Sequence, residues 1–260
     1  YFNLQEYGNT YSRIMNPTVA AFEERVASLE GGVGGVAFAS GLAAQTATLF
    51  TLLRPGDHVI AARALYGGSI TQLKHLLGKL SVDLDFVDSD DADAWRAAIR
   101  PETKALFGET IGNPAGNVLD IEAVAAVAHE AGAPLIVDNT FATPWLCRPL
   151  EHGADIVIHS ATKFIGGHGT SIGGVVVDSG DFAWDNGPTL KKFQASAWAT
   201  KAYSFSAAGT PKTEITFAPH DAQFVATTLS GLTQRIAQEG TKGKTTGSVL
   251  FAVMQVDQGT

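Results

Sequence analysis

The sequence predicts an α/β fold: a mainly parallel sheet covered by helices on both faces. Three observations point there. From Asn16 to about Ser179, apolar runs alternate with amphipathic ones at the spacing of strand–helix–strand units. Runs such as Ile156-Val157-Ile158 are continuously apolar, as buried strands are. The polar residues of chemical interest stand just beyond those runs, where such sheets bind their ligands.

The elements follow in order. Asn16-Pro17-Thr18 reads as a helix start, with Asn16 as cap and Pro17 in the first position. Val19, Phe22, Val26 and Leu29 make its expected buried stripe, and Gly31-Gly32 ends it. A strand is expected at Val36–Ala39 and a helix from Gly41 to about Leu53, followed by the turn Arg54-Pro55-Gly56-Asp57. Further strands are expected at His58–Ala62, Val82–Val87, Lys104–Gly108, Leu135–Asp138, Asp155–Ile158 and Gly174–Val177. Helices are expected at Ser69–Leu80, Ala92–Ile99 and Ile121–Ala131.

From about Pro188 the texture changes. This tail carries seven basic residues against four acidic, whereas residues 1–187 carry eleven against twenty-two. Only Ala222–Ile236 and Val249–Val256 look ordered within it. The expected organisation is therefore a partial N-terminal arm (1–15), one α/β domain (16–187) and a tail (188–260).

Composition excludes several classes. A net charge of −8 over 260 residues argues against nucleic acid or an anionic membrane as partner. No apolar run of about 18 residues and no signal-peptide pattern is present. The single cysteine, Cys147, suits a reducing cytoplasm and reads as a buried small side chain, and a structural zinc site is not expected.

The chemistry centres on Lys163, in Ser160-Ala161-Thr162-Lys163-Phe164-Ile165-Gly166-Gly167-His168-Gly169. A dehydrated lysine at a strand end can act as an amine nucleophile toward a carbonyl. Ser160 and Thr162 offer hydroxyls to a phosphate, and the glycines admit a flat cofactor. The plain alternative is a surface lysine after an edge strand. Asp138 ends an apolar strand and would suit a pyridinium nitrogen, or else serve as a turn aspartate. Gly41 and Leu42 begin a helix after Ser40, a frequent turn but also a phosphate cradle. Tyr66, before Gly67-Gly68, can stack on a ring and carry a proton, or simply pack. Asn113 can donate to a phenolate oxygen, or make an Asn-Pro turn. Tyr11 and Arg13 stand where an arginine fork could meet phosphate, exposure being the usual outcome for such an arginine.

Taken in order, Tyr11 to Thr18, Ser40-Gly41, Leu65 to Gly68, Glu109 to Pro114, Val137 to Thr140, Cys147-Arg148-Pro149 and Ser160 to Gly169 resemble the Cys/Met-metabolism family of pyridoxal-phosphate enzymes, over about residues 2–187. The resemblance is to its O-acetylhomoserine sulfhydrylase branch. It implies a three-layer sheet of the aspartate-aminotransferase-like, fold type I kind, with pyridoxal 5'-phosphate as cofactor. By that resemblance Lys163 carries the cofactor as a Schiff base and shuttles protons. Asp138 pairs with the ring nitrogen, Tyr66 stacks and Asn113 contacts the phenolate oxygen. Gly41, Leu42, Ser160 and Thr162 hold the phosphate, joined by Tyr11 and Arg13 reaching a neighbouring subunit. The implied reaction is γ-replacement on O-acetylhomoserine by sulfide, giving homocysteine and acetate for methionine biosynthesis, in a cytoplasmic homotetramer. Cystathionine γ-synthase, cystathionine lyase and methionine γ-lyase chemistry share these residues and stay open, as does a non-catalytic fragment. Residues 188–260 do not match the family's C-terminal domain, which supplies an arginine for the substrate carboxylate; Arg235 is the one arginine there.

Overall fold

The structure is a computed structural model that describes residues 12, 16–183, 201–205 and 211–216. Helix α1 (Pro17–Glu30) begins as its sequence dictates. The Asn16 side chain accepts the N–H groups of Thr18 and Val19, and Gly31 closes the helix at φ 80°. Its expected stripe is only partly right. Val26 and Ala27 are buried, Phe22 is half-buried, but Val19 and Leu29 are exposed. The sheet-facing side runs instead through Phe22, Val26, Ala27 and Glu30, because Glu30 turns inward to meet a buried histidine.

Strand β1 (Gly34–Phe38) leads into α2 (Gly41–Leu52), then β2 (His58–Ala62), α3 (Gly67–Lys79), β3 (Asp83–Val87) and α4 (Ala92–Ala97). Next come β4 (Thr103–Glu109), α5 (Ile121–Glu130), β5 (Leu135–Asp138), β6 (Ile156–His159) and β7 (Gly174–Asp178). Two short elements were not expected: α6 (Thr143–Leu146) and a 3-10 turn at Pro149–His152. Neither is long enough to show a hydrophobic period.

The seven strands lie in the order β1-β7-β6-β5-β4-β2-β3. Strands β3, β2, β4, β5 and β6 pair in parallel, while β7 runs antiparallel to both β6 and β1. The reversal has a physical cause. A parallel neighbour needs a crossover, normally a helix. The segment after β6 contains none and instead folds back on itself, the Thr162 hydroxyl bonding both the N–H and the carbonyl of Gly173.

Every residue of β2, β4, β6 and β7 is buried, as is Leu135–Val137 of β5. Burying one side chain such as Leu106 or Ile136 contributes about 2 kcal/mol. Residues 201–205 and 211–216 form a separate antiparallel pair that the sequence did not signal. The expected segments Ala222–Ile236 and Val249–Val256 lie outside the described residues. Among the described residues no helix is long and apolar enough to cross a membrane.

Candidate active site

The carboxyl ends of β1, β2, β4, β5 and β6 bring the sequence's polar candidates to one edge of the sheet. The β1–α2 turn comes first. The Ser40 hydroxyl accepts the Ala43 N–H, so Gly41 and Leu42 head a first turn whose N–H groups have no intrahelical acceptor. Gly41 is a glycine by necessity. A Cβ there would lie 2.6 Å from Ser160 Cβ, so the helix mouth presses directly on the residue that follows β6. Two independently expected phosphate contacts, Gly41 and Ser160, are thus adjacent.

Asp138 ends β5 half-buried. Its Oδ1 accepts the Thr140 N–H at 2.9 Å and the Thr140 hydroxyl. That hydroxyl in turn accepts the Ser160 N–H at 2.8 Å, tying the β5 end to the β6 end. Burial pushes the Asp138 carboxyl pKa up, and the Thr140 bonds and nearby His159 offset this in part. A carboxyl so placed gains most from a cation at its open side.

Lys163 stands in the turn after β6, its N–H on the Ser160 carbonyl at 3.1 Å. The expectation of a dehydrated lysine is corrected here: Lys163 is exposed. The cause is its position in an open turn past the strand end. Phe164 beside it meets Phe141, three residues beyond Asp138, edge-on at 5.6 Å, which holds the two loops together. Thr162 is only partly free for a ligand, since its hydroxyl already serves Gly173.

Tyr66 precedes α3 and is 48% exposed. Its ring lies over Gly68, where a Cβ would meet Tyr66 Cε1 at 2.4 Å. Asn113 is half-buried and precedes a cis proline, in the expected Asn-Pro turn. Tyr11 and Arg13 lie outside the described residues. Cys147 is half-buried, and burial raises its thiol pKa, as suits an inert side chain.

Four neighbours of these candidates were not singled out from the sequence. Glu109 ends β4, 8% exposed, and its Oε1 accepts the Tyr66 N–H at 2.7 Å. Its pKa is raised to about 7, chiefly by burial and further by Asp138, against the N–H bonds of Tyr66 and Asn113. Beneath the β5 and β6 ends, Glu30 and His159 pair at zero exposure. Asn139 donates to Glu30 at 2.8 Å and to the Cys147 carbonyl at 2.9 Å, and accepts the Thr110 hydroxyl at 2.7 Å. The available signal was polar residues at the ends of apolar strands, but their partners are distant in sequence.

These residues fit a phosphorylated pyridine aldehyde. Asp138 is a carboxylate short of a cation, the Gly41–Ser160 contact forms a close-built phosphate cradle, and Lys163 is a solvent-reachable amine.

Comparison with known proteins agrees. The family described as Cys/Met metabolism PLP-dependent enzyme matches residues 1–256. An O-acetyl-L-homoserine sulfhydrylase of Leptospira meyeri is 50% identical over 186 residues, covering 72% of this chain and 42% of that protein. One of Corynebacterium glutamicum is 48% identical over 215 residues, covering 81% of this chain and 49% of that protein. A cystathionine gamma-lyase structure from Lactobacillus plantarum, complexed with L-serine, superposes with TM-score 0.66 at 43% identity, covering 68% of this chain and 46% of that one. The chain spans about half the length of the relatives it matches.

Proposed function

The chain belongs to the Cys/Met metabolism family of pyridoxal-phosphate-dependent enzymes, and on that premise we propose that it serves γ-replacement on O-acetylhomoserine by sulfide, giving homocysteine and acetate. One observation carries the choice of reaction. Identity to a sulfhydrylase is 48% over 81% of the chain, against 43% over 68% for a cystathionine gamma-lyase.

Bound pyridoxal phosphate supplies an electron sink for charge developing on the substrate carbons. The chain's residues do the rest. The Lys163 amine would hold the cofactor through its aldehyde carbon, and the freed Lys163 amine would take the substrate Cα proton. Asp138 holds a proton at the ring nitrogen, oriented by Thr140. The Gly41 and Leu42 N–H groups and the Ser160 hydroxyl would bind the phosphate dianion, joined by Thr162 once its O–H turns from the Gly173 carbonyl. Tyr66 would stack on the ring and its phenol would carry a proton, and Asn113 would donate to the phenolate oxygen. Loss of a proton from Cβ would supply the electron pair that expels acetate from Cγ, hydrosulfide would add at Cγ to the resulting double bond, and protons would return to Cβ and, from Lys163, to Cα. In this reading residues 16–187 are the cofactor domain, Tyr11 and Arg13 reach the phosphate of a neighbouring subunit, and the assembly is a cytoplasmic homotetramer.

A cystathionine lyase reaction is the second reading, favoured by the 43% identity to such a lyase. The purified chain, supplied with pyridoxal phosphate, is assayed for homocysteine and acetate from O-acetylhomoserine and sulfide, and in parallel with cystathionine and methionine. Homocysteine formation supports the proposal. Turnover of cystathionine alone transfers the site to the second reading, and cofactor binding with no turnover assigns a non-catalytic fragment.

A further inference from the structure

Two of the ring-facing candidates, Tyr66 and Asn113, sit on turns that belong to different strands. Tyr66 follows β2, and Asn113 follows β4. What joins them is the Glu109 carboxyl. It accepts the Tyr66 N–H at 2.7 Å, and the Asn113 N–H faces the same group closely enough to favour its ionised form. The two turns also touch directly, since a Cβ on Gly112 would lie 2.7 Å from the Ala64 carbonyl oxygen. Glu109 pairs in register with Asp138 across β4 and β5, so two carboxyls stand side by side at the sheet edge.

We propose that Glu109 is a positioning residue of the ring pocket, its carboxylate clamping the Tyr66 turn to the Asn113 turn, and that a cation arriving at Asp138 ionises it and tightens the clamp. The inference rests on the reading of Asp138 as partner of the ring nitrogen.

The surroundings of Glu109 leave little else to set its charge. From β5 the facing charged group is Asp138. On the β2 side, Arg63 is turned away, its guanidinium donating to the Phe86 carbonyl. The Tyr66 phenol lies over Gly68. Asp120 is engaged in capping α5 through the Ala123 N–H. Near neutral pH, burial and the Asp138 charge hold Glu109 partly protonated, and a protonated carboxyl accepts N–H bonds more weakly than a carboxylate. A positive ring nitrogen beside Asp138 removes the like-charge penalty. Loading then releases a proton from Glu109, and cofactor affinity rises with pH across its titration.

Three proteins test this: the chain itself, E109Q and E109A. Glutamine keeps a carbonyl acceptor but cannot ionise, and alanine keeps neither property. Between pH 6 and pH 8 the Kd of the parent for pyridoxal phosphate should fall about five- to tenfold more than that of E109Q, the span allowed by one released proton. Amide hydrogen exchange without cofactor should quicken about tenfold or more at both Tyr66 and Asn113 in E109A, while E109Q stays near the parent. Parallel pH profiles for the parent and E109Q overturn the ionisation step. Unchanged exchange at either amide in E109A overturns the clamp. If E109A fails to fold, the E109Q pH profile decides alone. A parent that binds no pyridoxal phosphate at any pH instead overturns the site reading on which the inference rests.

Discussion

Removing the Glu30 carboxyl should be among the most damaging single changes to the fold. Glu30 closes α1, His159 ends β6, and both side chains have zero exposure. Glu30 Oε1 takes the His159 Nε2 contact and the Asn139 amide at 2.8 Å. Asn139 also bonds the Cys147 carbonyl and the Thr110 hydroxyl, so the cluster fastens α1, β4, β5, β6 and the end of α6 together. Glu30→Ala strips acceptors from His159 and from Asn139 at once. Breaking one member of a buried pair costs about 3 kcal/mol, and leaving one of the two Asn139 amide N–H groups unpaired adds about 1 kcal/mol. Against a domain stability of about 5–15 kcal/mol, a total near 4 kcal/mol is severe. Glu30 Oε2 and His159 Nδ1 find no protein partner among the described residues, so the pair is itself incompletely satisfied. A double replacement, Glu30→Leu with His159→Phe, should therefore cost less than the sum of its singles. Urea unfolding followed by circular dichroism, run as a double-mutant cycle, reads the coupling directly, with about 2 kcal/mol expected. Losses below about 1 kcal/mol for Glu30→Ala, or a coupling near zero, would refute the reasoning.

Other changes separate fold from function. Asp138→Asn removes a buried carboxyl whose pKa is raised, so the cofactor-free chain should melt higher at neutral pH, yet bind pyridoxal phosphate about 10–100-fold more weakly. A change in the same direction for both quantities contradicts the assignment. In Gly41→Ala the new Cβ lies 2.6 Å from Ser160 Cβ, which should cost about 1–3 kcal/mol and weaken cofactor binding; unaltered affinity argues against a cradle there. Glu109 makes stability depend on pH. Its pKa rises from 4.5 to about 7 on folding, so the fold favours the protonated form. Stability contributed by that group is full below about pH 4.5, falls as pH climbs toward 7, and levels off above it, by about 3 kcal/mol in total. Thermal melts of the chain and of E109Q at pH 5 and pH 8 should differ by that slope, and parallel melts would count against it.

The sheet was legible because its strands are continuously apolar and its turns are marked by Ser-Gly, Pro-Gly and Gly-Gly. His58–Ala62 and Leu135–Asp138 agree with the sequence residue for residue. Strand direction was less legible. Gly174–Asp178 has the same apolar texture as its neighbours, and only the lack of a crossover helix after His159 betrays its reversal. Position on α1 misled for a related reason. Val19 and Leu29 suit a buried stripe, but Glu30 is drawn inward by His159, a partner more than a hundred residues away that no local period encodes. The candidate site divides along the same line. Lys163, Asp138, Gly41 and Ser160 were visible as polar or glycine residues at strand ends. Glu109 and Asn139 have the same local setting, and their importance lies in what they bond across the sheet: the Tyr66 turn in one case, α1 and the end of α6 in the other.

The central claim is that Lys163 is the amine that holds the cofactor. The direct measurement is visible absorbance of the chain with added pyridoxal phosphate, followed by borohydride reduction and peptide mapping by mass spectrometry. The account predicts a yellow complex in which the reduced pyridoxyl group lies on Lys163, and a colourless Lys163→Ala variant. A pyridoxyl group fixed on other lysines, or a Lys163→Ala variant as yellow as the parent, would contradict it.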